Sequence, residues 1–504
     1  MKTKKIIDLL CRLGILLAAS LMASTARGDR PALTLTVEVE ERLAVDSLFV
    51  RFRHTTLPQA TPEADMLCLK RSGPRTFVYA GRFPQARGQF SLHIRPAAGS
   101  IWEDRYAYLP LTPAFYWEAG DSLTLLIQKR QAGKPIGSPM YDYAYTFRGK
   151  GAAKYNAWLR VYRTYLQAPT ARPAERLTLD YQEMASWSQI RAALDTLQSQ
   201  RAALDDFHYD LFRADLVGGQ SERFARLKSL GETSRDSGWC RDVLARQLMS
   251  PLDSLAGAIP GPVAYHSRAL IHYQFERLRF EAHLAALGGD PFDLLEAVAT
   301  RYEGGFRDRL WLNLFLQNTE GRDLVRDYQR VRGQMTDAAC QQALREVVVR
   351  LPGMPVLDFE LPDLAGNRVR LADLRGKVVF LDAWFTGCGA CAAYYRQVLK
   401  PAKEALKAET DIVFVSLSVD RSEALWRKSV ASGTYTSARA VNLYTEGQGL
   451  DHTWTRQYRW EGVPKLMVVT REGKIHQLYE NGLAEDIRTA EALVRSLQAV
   501  KSER

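Results

Sequence analysis

The strongest constraint on this chain is the apolar run Val378-Val379-Phe380-Leu381, followed by Trp384-Phe385-Thr386-Gly387-Cys388-Gly389-Ala390-Cys391. A wholly apolar run of strand length reads as a strand buried on both faces, and the pattern turns helical at the cysteines. A cysteine at a helix N-terminus faces unpaired N–H groups and the positive end of the helix dipole, and both favour the thiolate. Cys388 is therefore the expected nucleophile. Cys391 follows about one helical turn later, near enough to close a disulfide and resolve a mixed disulfide. The rival readings are a zinc half-site and a structural bridge. Zinc needs a second ligand pair, whereas His452 and His476 stand alone downstream. A bridge over two intervening residues closes a very short loop and stabilises little.

Asp382 interrupts the apolar strand. A buried carboxylate is costly unless it neutralises or finds a partner, so an acid here has a raised pKa and can take the proton of Cys391 during resolution. The alternative is an aspartate at the strand end that reaches water. Pro464 follows Val463 directly before another strand, where proline is unwelcome unless it makes a turn or borders an open edge. A cis bond there leaves the neighbouring backbone free to pair with an extended substrate; a trans turn proline is the other reading.

Around this motif the predicted order is a hairpin at 358–370, strand 378–381, a helix from the cysteines to about 408, strand 412–418 and a helix near 422–431. Strand 465–470, a tight turn, strand 475–479 and a last helix over 486–500 complete it. Strands alternating with helices imply an α/β fold with a mixed central sheet covered on both faces.

At 504 residues the chain exceeds one ordinary core. Residues 33–39, 47–52 and 90–94 alternate with period two, and β-branched or apolar residues fill 123–127, which predicts a small antiparallel sheet or sandwich. From about 151 the spacing becomes helical, as in Met184, Trp187, Ile190, Leu194, Leu197 and Leu204, with further helices at 222–230, 268–287, 291–302 and 337–351. These stripes read as packing. The expected organisation is multidomain: 1–26 a signal peptide, 27–150 a β-rich domain, 151–350 an all-α helical region and 351–504 the α/β domain.

The leader reading rests on Lys2, Lys4 and Lys5 ahead of an apolar or small-residue run from 13 to 23, with Ser24-Thr25-Ala26 as a cleavage site. Export to the periplasm or cell envelope is the expectation, the mature chain being soluble or loosely membrane-associated. Lys2, Lys4, Lys5 and Arg12 against Asp8 supply part of the formal charge of +11, and the remainder is a spread-out solvated surface. Without a dense basic run interleaved with aromatics, nucleic acid is not an expected partner. Cleavage removes Cys11 and leaves Cys68, Cys240, Cys340, Cys388 and Cys391. The first three sit among apolar neighbours and read as small core residues, or Cys240 and Cys340 as a structural bridge.

From about Met354 the chain resembles the TlpA-like and ResA-like envelope thioredoxins, thiol-disulfide oxidoreductases of thioredoxin-like fold. The matching pieces are Leu361-Pro362-Asp363-Leu364-Ala365-Gly366, Leu374-Arg375-Gly376-Lys377-Val378-Val379, Cys388-Gly389-Ala390-Cys391, Gly462-Val463-Pro464 and Glu472-Gly473-Lys474-Ile475. The resemblance maps the nucleophile to Cys388, the resolving cysteine to Cys391 and the cis-proline to Pro464, and Asp382 falls where thioredoxin keeps its buried acid. Gly387 stands where relatives usually carry Trp, Ala390 where many carry Pro, Tyr394 where many carry an acid, and Arg396 where many carry Pro. Upstream, Gly120-Asp121-Ser122-Leu123 and Phe147-Arg148-Gly149-Lys150-Gly151 are similar to the β domains preceding such modules in envelope proteins of Bacteroidota.

The implied function is reduction of disulfides in envelope proteins, with those proteins as substrates, another thiol reductase as electron donor, and neither metal nor organic cofactor. The alternatives are a redox-sensing binding or assembly factor and a thiol peroxidase. The peroxidase requires threonine three residues before the reactive cysteine, where Phe385 stands.

Overall fold

The computed structural model describes residues 32–40, 47–53, 66–83, 86–95, 108–129, 143–167, 179–233, 251–289, 291–317, 323–479 and 484–502. The leader with Cys11, and Cys240, lie outside the described residues. The chain divides into two compact units, 1–310 and 311–504.

Among the described residues the amino-terminal unit contains ten strands: β1 (Ala32–Val39), β2 (Leu48–Arg53), β3 (Met66–Cys68), β4 (Lys70–Arg71), β5 (Thr76–Arg82), β6 (Arg87–Ile94), β7 (Leu109–Pro110), β8 (Phe115–Glu118), β9 (Ser122–Lys129) and β10 (Tyr143–Lys150). They form two sheets, β10-β9-β1-β5-β4 and β3-β2-β6-β7 with β8 also on β6. The alternation in β1 is the reason: Leu33, Leu35, Val37 and Val39 are buried while the residues between them are not. Against the antiparallel expectation, β1 pairs parallel with β9, from Thr34 opposite Ser122 to Val39 opposite Ile127. Long connections between the two strands permit that pairing. Cys68 also departs from its expected place in the core. It is exposed, like Leu67 before it, because β3 is a three-residue strand at the edge of its sheet, and the chain first turns inward at Leu69, just beyond the strand.

Helices follow from Ala152–Gln167 to Arg268–Gly288, capped where the sequence supplies acceptors. Asp205 accepts the N–H of His208 and Ser267 that of Leu270. Among the described residues no helix is long and apolar enough to cross a membrane.

The carboxy-terminal unit has a thioredoxin-like α/β core preceded by helices, including Leu324–Val331 and Ala338–Val348, whose Cys340 is buried as expected. Its strands are β11 (Glu360–Pro362), β12 (Arg368–Arg370), β13 (Val378–Trp384), β14 (Ile412–Ser418), β15 (Val441–Tyr444), β16 (Lys465–Val469) and β17 (Ile475–Tyr479). The sheet order is β15-β14-β13-β16-β17, with β13 parallel to β14 and antiparallel to β16. Every residue of β13 is buried, which explains its unbroken apolar run: Val379, Leu381 and Ala383 pack into one layer, and Val378 and Phe380 into the other. The second layer contains Tyr394, Tyr395, Val398 and Leu399 of the cysteine helix and Leu493 and Leu497 of Ala490–Ser502.

Candidate active site

Cys388 caps the helix Gly389–Tyr394, and its Sγ accepts the N–H of Cys391 at 3.1 Å. The cap position brings the sulfur to the unpaired N–H groups at the helix start. The two cysteines are joined as a disulfide, with Cα atoms 5.3 Å apart, and both are buried. The helix runs on through a π-helical segment, Tyr395–Leu399, into Lys400–Ala405. Exposed Arg396 lies on that segment, and Tyr394 is buried with its hydroxyl donating to the Ile487 carbonyl at 3.0 Å.

Asp382 is buried on the face of β13 that packs beneath this helix. Burial raises its pKa to about 6, against the opposing pull of the Lys403 charge and of a hydrogen bond from Ser416. Ser416 Oγ donates to Asp382 Oδ2 at 3.2 Å, while Oδ1 has no hydrogen-bond partner. The Lys403 stem is partly exposed, but its ammonium is buried, without a hydrogen-bond partner, between the rings of Tyr395 at 5.4 Å and Phe414 at 5.3 Å. Burial lowers the Lys403 pKa, and the Asp382 charge opposes this.

The loop entering the cysteines is fastened from behind. The N–H and hydroxyl of Thr386 donate to Asp420 Oδ1 and Oδ2, both at 2.8 Å, and Ser418 Oγ donates to Oδ2 at 2.9 Å. With the Thr386 hydrogen given to Asp420, its oxygen accepts from Ser429 Oγ at 2.7 Å. The next residue, Gly387, has a φ of 103°, a conformation that glycine adopts without penalty. Its N–H donates to the Tyr435 hydroxyl at 2.8 Å. Tyr435 stacks on Trp384, whose indole N–H donates to Ser416 Oγ at 2.8 Å. Phe385 stays exposed beside the motif.

The Val463–Pro464 bond is cis. Pro464 lies one residue beyond the β13–β16 ladder, which ends at Lys465 opposite Ala383, and Val463 packs against the cluster holding both cysteines. The fold thus brings Cys388, Cys391, Asp382 and Pro464 to one end of the sheet. Ser416, Asp420, Tyr435, Thr386 and Lys403 join them without having been read as site residues. Two serines in the otherwise apolar strand β14 were the signal available for Ser416.

Elsewhere among the described residues, Glu118, Asp205 and His208 form a cluster of ligand type. Glu118 there already pairs with Arg87 at 2.7 Å and Lys154 at 3.1 Å.

Residues 351–494 match the Redoxin family. Over 139 residues the chain is 26% identical to thiol-disulfide oxidoreductase ResA of Bacillus subtilis, a match spanning 27% of this chain and 70% of that protein. Among solved structures it is similar to the thioredoxin domain of a thiol-disulfide oxidoreductase from Bacteroides vulgatus, at 27% identity over 30% of this chain and 96% of that one, with a TM-score of 0.24. A thiol:disulfide interchange protein from Bacteroides sp. matches at 27% identity over 30% of this chain and 90% of its own, also with a TM-score of 0.24. The carboxy-terminal part of the chain is a Redoxin domain homologous to thiol-disulfide oxidoreductases.

Proposed function

We propose that this Redoxin-matching chain is an exported thiol-disulfide oxidoreductase that reduces disulfides of cell-envelope proteins through Cys388 and Cys391. The observation that carries the reading is the position of Cys388 as helix cap, its sulfur receiving the Cys391 N–H, with a buried acid on the strand beneath the same helix. A thiolate at that position is favoured by the helix terminus.

In the reduced enzyme the Cys388 thiolate attacks one sulfur of a client disulfide. A Cys388–client bond forms and the other client sulfur leaves as a thiolate that takes a proton from water. Cys391 then passes its proton to the Asp382 carboxylate and attacks Cys388. The Cys388–Cys391 disulfide closes and the second client thiolate is released. The client is reduced by two electrons and the enzyme oxidised by two, so a further thiol reductase must return the enzyme to its dithiol. Pro464 and the adjoining backbone border the cysteines where an extended client segment would lie. The leader-like residues 1–26 support export, and loose association with the membrane is compatible with that address.

The peroxidase reading has less support, because the hydroxyl of Thr386 is committed to Asp420 and Ser429. The test is insulin-disulfide reduction with a supplied reductant. Wild type is expected to turn over and Cys388→Ser to be inactive, whereas equal rates would refute the assignment. A Cys391→Ser variant is expected to retain clients covalently on Cys388, and their identities report the substrate class.

A further inference from the structure

We infer that Ser416 is a positioning residue that confines the exchangeable proton of Asp382 to one oxygen, Oδ1, and thereby aims the buried acid. This rests on the redox reading above and deepens it.

The argument begins with two serines in β14, Ser416 and Ser418, neither with any exposed surface. A hydroxyl taken out of water needs a replacement partner. The two serines find different carboxylates: Ser418 donates to Asp420, and Ser416 to Asp382. The direction of the bonds at Ser416 follows from donor chemistry. An indole N–H can only donate, so Ser416 Oγ must accept from Trp384 Nε1 at 2.8 Å. The single hydroxyl hydrogen is then left for Asp382 Oδ2, at 3.2 Å. Strand register enforces the arrangement, since Asp382 lies directly opposite Ser416 and Trp384 stands two residues further along the same strand.

Because Oδ2 receives a hydrogen from Ser416, a proton taken up by Asp382 resides on Oδ1, the oxygen without a hydrogen-bond partner. Among the described residues, the groups packed around the acid leave Ser416 as its sole hydrogen-bond donor. From the cysteine helix and its continuation come Tyr394 and Tyr395, whose hydroxyls are held protonated in part by the Asp382 charge, and Lys403, whose own charge acts on Asp382. The neighbouring strand β16 places Leu466 opposite Asp382, and the carboxy-terminal segment adds Ile487, Leu493 and Leu497 to the same layer. Asp486 acts on Tyr394. In the resolving step the Cys391 S–H bond breaks, its proton goes to Oδ1, and the sulfur's electron pair forms the bond to Cys388 as the client thiolate leaves.

The test is a titration of the Asp382 carboxyl by isotope-edited infrared or carbon NMR in the reduced, full-length chain, with Asp382→Asn assigning the signal. Ser416→Ala is expected to raise the midpoint by about one pH unit, through loss of a bond that favours the carboxylate. Ser416→Thr is expected to restore it. The acid limb of client release from a Cys388 mixed disulfide should move by the same amount, and the Ser416→Ala effect should vanish in an Asp382→Asn background. An unchanged midpoint in Ser416→Ala, or a shifted limb that persists with Asp382→Asn, overturns the inference. If Ser416→Ala does not fold, Ser416→Cys serves instead: a thiol is a far weaker donor to the carboxylate than a hydroxyl, and an unmoved midpoint there is equally fatal. Failure of the wild type to release a client at any pH would refute the redox function alone, because the carboxyl titration does not depend on turnover.

Discussion

Trp384 and Tyr435 lie face to face, ring centroids 4.8 Å apart and planes 3° from parallel, while the Tyr435 hydroxyl accepts the N–H of Gly387 at 2.8 Å. One tyrosine thus braces both the end of β13 and the residue before Cys388. The site lacks the tryptophan that relatives usually carry at that position, and the aromatic support comes from a distant loop instead.

Removing only the Tyr435 hydroxyl separates these two contributions. Tyr435→Phe keeps the stack but leaves the Gly387 N–H without its acceptor, which should cost about 1 kcal/mol. Tyr435→Ala also loses the ring and should cost roughly 2–3 kcal/mol. Urea unfolding of the full chain, followed by tryptophan fluorescence, measures both. Equal losses would show that the stack contributes nothing.

Asp382 imposes a stability cost whose pH dependence has a definite sign. Its folded pKa is about 6 against an ordinary value of 3.8, so between these values the folded chain holds more proton than the unfolded one. Stability therefore falls as pH rises through that window and stays lower above it. Asp382→Asn should stabilise the carboxy-terminal unit at pH 7 by on the order of 2 kcal/mol. The advantage should shrink towards pH 4 even as client release slows. Thermal melts across this range check it.

Asp420 is the other buried acid at the site, and it serves Thr386 and Ser418 at once. Asp420→Ala strands these donors and should cost about 2–4 kcal/mol. Amide hydrogen exchange at Thr386 should accelerate strongly. Retained protection there would show that another group fastens the loop.

In the amino-terminal unit, Gly149 has a φ of 98°, and a Cβ placed on it would lie 2.2 Å from the Ser122 carbonyl oxygen in the β9–β10 ladder. Backbone held in a ladder cannot yield as a side chain would. Gly149→Ala should therefore destabilise this unit by roughly 2–4 kcal/mol, measurable by thermal unfolding. A neutral substitution would mean that the turn leading into Ala152–Gln167 is less constrained than its hydrogen bonds imply.

Much of the carboxy-terminal architecture was legible because its signals are local. The run from Val378 shows a buried strand, and Asp382 stands out because a charge in such a run is costly. β14 was legible over its full length. β15 (Val441–Tyr444) and the helix Thr453–Gln457 were not, since four or five residues are too few for either period to emerge. Cys68 misled for a related reason: its neighbours along the chain are apolar, but β3 lies at a sheet edge, where Leu67 and Cys68 are both exposed.

The sequence by itself determined the paired cysteines at a strand-to-helix junction and the acid planted in the strand, because each is defined by residues a few positions apart. Only the tertiary structure decided how that acid is held and how the cysteine loop is braced. The Ser416–Asp382 bond joins residues 34 positions apart, and the Tyr435–Gly387 bond joins residues 48 apart. A serine in a strand or a tyrosine in a loop has no partner written into its neighbours. Strand register and sheet order create those contacts, and they exist only once the chain has folded.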